Sequence, residues 1–120
     1  MADGLMFPKN PSKKRRMKHK ASILQEKDGR CYLCMKLHND YSFKFTQEHH
    51  VYFGRGQREI SEAEGFKVHL CLDHHEYTGG PEAVHKNHET SLLIQQDMQR
   101  KYEETHTRAE FMRLIGRSYI

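Results

Sequence analysis

The feature that most constrains this chain is its handling of cysteine. All three cysteines fall between residues 31 and 71, two as Cys31-Tyr-Leu-Cys34 and the third at the head of Cys71-Leu-Asp-His74-His75. An x2 spacing lets a tight turn aim two side chains at one ion, and four such donors close a tetrahedral zinc site with Zn–S near ~2.3 Å and Zn–N near ~2.0–2.1 Å. Cys31, Cys34, Cys71 and His74 meet that requirement, with His75 as the alternative fourth donor. A closed set of this kind contributes folding energy rather than chemistry. The chain needs it: 120 residues, 36% hydrophobic with a mean hydropathy of −0.94, make one domain but not a large apolar core. Three cysteines cannot all pair within one chain, and the N-terminus has no apolar signal-peptide run. Both points favour a reducing compartment, where this spacing means metal. No stretch is long and apolar enough for a membrane span, so no membrane partner is expected.

Charge is distributed unevenly. Residues 1–20 carry Lys9, Lys13, Lys14, Arg15, Arg16, Lys18 and Lys20 against Asp3, a net +6, while the remaining 13 basic and 15 acidic residues leave the body at −2. With Gly4, Pro8 and Pro11 and little apolar periodicity, residues 1–19 read as a basic arm that is disordered when unbound, attached to a domain over 20–120. Such an arm suits a polyanion, and equally a solubilising tail or a localisation signal.

The local patterns predict an α+β domain. Residues 21–27 read as a short helix stopped at Asp28-Gly29. Tyr41, Phe43 and Phe45 alternate with polar residues, the period of a half-buried strand running into His49-His50. Residues 52–60, with Gly54, Arg55, Gly56 and Arg58, read as an exposed loop. Ser61 to Glu64 has the spacing of a capping box and predicts one helical turn ending at Gly65. Phe66, Val68 and Leu70 then form a second alternating strand, and a helix begins after His75, reset at Gly79-Gly80-Pro81. A longer helix follows from about 87 to 105, with Ile94, Met98 and Tyr102 on one stripe, and Thr107 to Glu110 boxes the start of a last helix that Gly116 stops. No internal repeat is present.

His49 and His50 end the first strand facing the zinc knuckle, and two adjacent imidazoles there can divide the work. One can bind a metal while its neighbour serves as a base, a role suited to a group whose unperturbed pKa is about 6.5. Chance surface placement is the competing reading in a chain with ten histidines.

The order Cys-x2-Cys, strand, Glu48-His49-His50-Val51, loop, strand, Leu70-Cys71-x2-His74-His75 resembles the HNH endonucleases, in particular those whose ββα-metal hairpin is built into a zinc-bound treble clef. The segment from Gly79 to Asn87 and the tail from Phe111 to Tyr119 are similar to small HNH-like proteins of bacteriophages. The resemblance spans about 20–120 and implies a treble clef containing the HNH hairpin, with C-terminal helices. It implies His49 as the first ligand of a catalytic divalent metal, His50 as the general base and His75 as the third motif histidine; His85 could approach the same metal from the helix side, the Gly79-Gly80-Pro81 segment leaving its direction open. Cys31, Cys34, Cys71 and His74 match the structural zinc set. The family's central asparagine is replaced by Phe66.

The implied activity is metal-dependent hydrolysis of DNA phosphodiesters, leaving 5′-phosphate and 3′-hydroxyl ends, in the cytoplasm of a bacterial host if the protein is phage-encoded. Mg2+ suits a site with few protein ligands, and an all-imidazole site also accepts Mn2+, Ni2+ or zinc. Lys13, Lys14, Arg15 and Arg16 would hold DNA without regard to sequence, with Arg55 and Arg58 nearer the chemistry. Two other classes fit the same residues: a non-catalytic treble-clef nucleic-acid-binding or adaptor protein with a degenerate site, which Phe66 favours, and a protein-binding module using the acidic body.

Overall fold

A computed structural model describes residues 18–76 and 79–120. Most of the basic arm, including Lys13, Lys14, Arg15 and Arg16, lies outside the described residues. The elements in chain order are α1 (Tyr32–His38), β1 (Gln47–His50), α2 (Gln57–Glu64), β2 (Lys67–Leu70), α3 (Leu72–His75), α4 (His88–Tyr102) and α5 (Arg108–Ile115). The class is α+β, with β1 and β2 paired antiparallel and Gln47 opposite Leu70, His49 opposite Val68.

The core forms where the sheet meets the two C-terminal helices. Tyr52 packs edge-on against Phe66 and Phe111 with ring centroids 5.4 Å apart in each case, and Tyr102 closes the cluster on Phe66 at 5.5 Å. These arrangements set ring edges against ring faces, the favoured geometry for aromatic quadrupoles. Ile94, Met98, Phe111 and Ile115 present the buried stripes of α4 and α5. Phe66 is fully buried in this cluster.

Several local expectations are corrected. Residues 21–27 form no helix, because the Ser22 hydroxyl accepts from the amides of Leu24 and Gln25 and the Ile23 amide donates across to the Gly65 carbonyl. A serine that captures nearby amides offers the backbone an alternative to helix. Gln25 instead caps the open edge of β2, its Oε1 accepting from the His69 amide at 2.8 Å. The strand expected at Tyr41–Phe45 is absent apart from an isolated bridge between Arg30 and Phe43, and Tyr41, Phe43 and Phe45 are exposed. Its partner runs out: Leu70 pairs with Gln47, and Cys71 then turns into α3, so nothing remains to pair with residues before Gln47.

The loop over 52–60 ends early, since α2 begins at Gln57, and Ser61 is not a cap but lies buried inside the helix. Its hydroxyl donates to the Tyr52 carbonyl at 2.7 Å and accepts from the Tyr52 amide at 3.2 Å. Gly65 does end the helix, with φ 79°. Finally, β2 is buried along its whole length instead of on alternate residues, and the helical turn near the second knuckle precedes His75 instead of following it. The Thr107–Glu110 capping box forms at α5, and Asn87 caps α4 by accepting from the Thr90 amide at 3.1 Å.

Candidate metal centre

Cys31 caps α1: its Sγ accepts from the Cys34 amide at 3.4 Å, so the first knuckle is the start of a helix and its geometry is set by helix capping. Cys71 precedes α3 and His74 lies within it, with the His74 amide donating back to the Cys71 carbonyl. The two turns face each other across β2. His74 Nδ1 lies 3.5 Å from Cys31 Sγ, 3.5 Å from Cys34 Sγ and 3.4 Å from Cys71 Sγ, and Cys34 and Cys71 are 3.8 Å apart sulfur to sulfur. Tetrahedral zinc at its usual bond lengths requires about 3.8 Å between two sulfurs and about 3.6 Å between sulfur and nitrogen. The donor set therefore fits such an ion, and the three cysteines stand as free thiols.

All four side chains are buried. Burial pushes the Cys31 and Cys34 thiols up, Cys34 to about 12, and the crowding of neighbouring thiols adds to the rise. A cation at the centre would favour deprotonation of Cys31 and Cys34, and a bound zinc would supply it.

A second convergence lies on the other side of α3. His49 from β1, His75 from the end of α3 and His85 from the turn before α4 bring one nitrogen each to within 4.8 Å of one another. Their ring centroids are 5.0 to 5.2 Å apart, and the exposed Phe53 ring lies 6.0 Å from His49 and 5.7 Å from His85. His49 is 2% exposed. Burial pushes its imidazole down to about 3, with His75, His85 and His50 adding to the shift, and burial lowers His75 as well. Neutral imidazoles with free lone pairs are what a divalent ion requires.

These rings border a cleft of about 250 Å³ that His50, Arg58 and Glu48 also line. His50 donates from Nε2 to Glu62 on α2 at 2.7 Å, and His19 bonds the other oxygen of the same carboxylate at 2.7 Å. The hydrogen bond from His50, then that from His19, hold Glu62 down to about 2. Lys67, nearly buried, places its ammonium 3.2 Å from Glu62 and 3.5 Å from Glu48, so a cation already bridges those two carboxylates. Arg55 is exposed and does not line the cleft.

His74 and His75, neighbours on one helical turn, thus point to different clusters, and His74 is the one facing the thiols. Three partners were not visible in the sequence reading. Glu82 accepts from His74 Nε2 at 3.0 Å and from His38 Nε2 at 2.7 Å, Gln47 accepts from His75 Nδ1 at 2.6 Å, and Glu62 holds His50. Gln47 alone left a signal, since it lies two residues before His49 on the same face of a strand. Comparison with known protein families, with curated proteins and with solved structures finds no match.

Proposed function

We propose that the protein is a metal-dependent DNA endonuclease of the HNH type, its Cys3His centre holding structural zinc in a treble clef and its three imidazoles holding the catalytic ion. The observation that carries the reading is the gathering of His49, His75 and His85 from three separate segments around a cleft that His50 also lines. Scattered surface histidines have no reason to converge on one point with one of them 2% exposed.

In this reading His50 is the base. Its Nε2–H is committed to Glu62, which leaves the lone pair on Nδ1 to take a proton from water. The water oxygen bonds to phosphorus, the bond to the 3′-oxygen breaks, and that oxygen acquires a proton from solvent. A divalent ion in the three-imidazole site would offset charge on the phosphate and the leaving oxygen. Arg58, which lines the cleft, would pair with a phosphate oxygen.

The test is cleavage of plasmid DNA with Mg2+, Mn2+ or Ni2+, alongside His50→Ala. Nicking or cutting that needs the ion and falls by at least ~100-fold in the variant is expected, in line with loss of a general base. Full activity in His50→Ala would remove it from that role. A second reading, a nucleic-acid-binding protein without catalysis, draws on Phe66, whose burial leaves no polar group at the asparagine's place. Salt-dependent DNA binding without cleavage under any ion would favour it.

A further inference from the structure

His74 and His75 are consecutive, yet they turn opposite nitrogens to the two clusters. His74 faces the thiols with Nδ1 and gives Nε2–H to Glu82. His75 does the reverse, giving Nδ1–H to Gln47 at 2.6 Å, so that Nε2 is the atom it can offer to an ion shared with His49 and His85. An imidazole carries its lone pair on whichever nitrogen the other's hydrogen bond leaves free, so the partner on the far nitrogen decides which atom can ligate.

From this geometry we infer that Gln47 is a positioning residue for the second metal site: its side-chain carbonyl fixes His75 in the Nδ1–H tautomer and aims Nε2 at the three-imidazole point. The inference rests on the reading of that point as a divalent-metal position. Gln47 is well placed for the task. It begins β1 two residues before His49, so one strand face carries both a ligand and the group that orients another ligand. Its backbone is anchored opposite Leu70 in the register, directly before the Cys71 turn that launches α3. The strand that supplies His49 thereby also sets the direction of His75, and the two approach as a unit.

The chemistry of the two partners also differs. Glu82 is a carboxylate and adds negative charge behind His74, whereas Gln47 orients His75 without charge. The thiolate centre is braced for retention, and the imidazole centre is oriented but not made more basic.

The test uses the full-length, zinc-loaded protein and does not rely on cleavage. Long-range proton–nitrogen correlation spectra read the tautomer of His75 before any second metal is added, and calorimetric titration with Ni2+ reads the affinity of the three-imidazole site in wild type, Gln47→Leu, Gln47→Glu and His49→Ala. We expect the Nδ1–H form of His75 in wild type. Gln47→Leu should bind Ni2+ about 10- to 100-fold more weakly, the usual loss for a ligand's hydrogen-bond partner, with zinc content unchanged, while Gln47→Glu, which keeps the acceptor, should regain wild-type affinity or better. Wild-type Ni2+ affinity in Gln47→Leu, or a proton on Nε2 of His75 in wild type, would overturn the assignment. If wild type and His49→Ala bind Ni2+ equally poorly, the metal reading itself fails, and the wild-type tautomer alone then decides whether Gln47 orients His75.

Discussion

At the scale of single residues, the titration of His49 gives the most direct handle on the second cluster. The unfolded chain takes up a proton on this imidazole near ~6.5, but the folded one does so only at about 3. Between those values the unfolded state binds more protons, so the stability of the metal-free protein falls as pH drops from about 6.5 and the loss is complete near 3. His75, also lowered by burial, acts in the same direction. Urea midpoints followed across this range should show a shallower acid limb in His49→Gln than in wild type, and equal slopes would contradict the burial argument. Which residues could be read from the sequence follows from how their partners are spaced. Cys31, Cys34, Cys71 and His74 are found because a tight turn forces x2 spacing on paired donors, and their separations here match a tetrahedral ion. Glu62 and Glu82 left no such trace, since each reaches its histidine through a backbone path that no local period encodes.

At the scale of elements, two identical patterns had opposite fates. Ser61 to Glu64 and Thr107 to Glu110 both have the spacing of a capping box, yet only the second forms one. The difference lies upstream: at Ser61 the helix is already under way from Gln57, and the hydroxyl is drawn to the Tyr52 backbone. Spacing reports what a side chain can reach, and competition from tertiary partners decides what it takes. Thr107→Ala should therefore lower stability by about 0.5–2 kcal/mol, because the side chain accepts from the Glu110 amide at 3.1 Å and starts the helix that carries Phe111 and Ile115 into the core. Chemical denaturation would measure it, and an unchanged midpoint would mean that core packing alone holds α5. The strand misread at Tyr41–Phe45 follows the same logic, because alternation can be read locally but the length of the partner strand cannot.

At the scale of the whole molecule, the Cys3His centre gathers donors from segments far apart in the chain. It joins α1 to α3, and His74 then holds the return segment twice, through Glu82 at its ring and through the Val84 amide at its carbonyl, 2.8 Å away. That segment carries His85. Removing zinc with a strong chelator should abolish the cooperative thermal transition, and restoring the metal should recover it, because binding energy at such a centre is folding energy. An unchanged melting temperature in protein shown to be zinc-free would exclude a structural role for the ion. The placement of His19 has a consequence of a different kind. It bonds the carboxylate that also holds His50, and the Lys20 amide donates to the Glu62 carbonyl, so His19 and Lys20 are fixed at the rim of the cleft. Displacing this segment would also remove one of the hydrogen bonds that hold the Glu62 carboxylate beside His50, so the segment and the cleft are mechanically coupled.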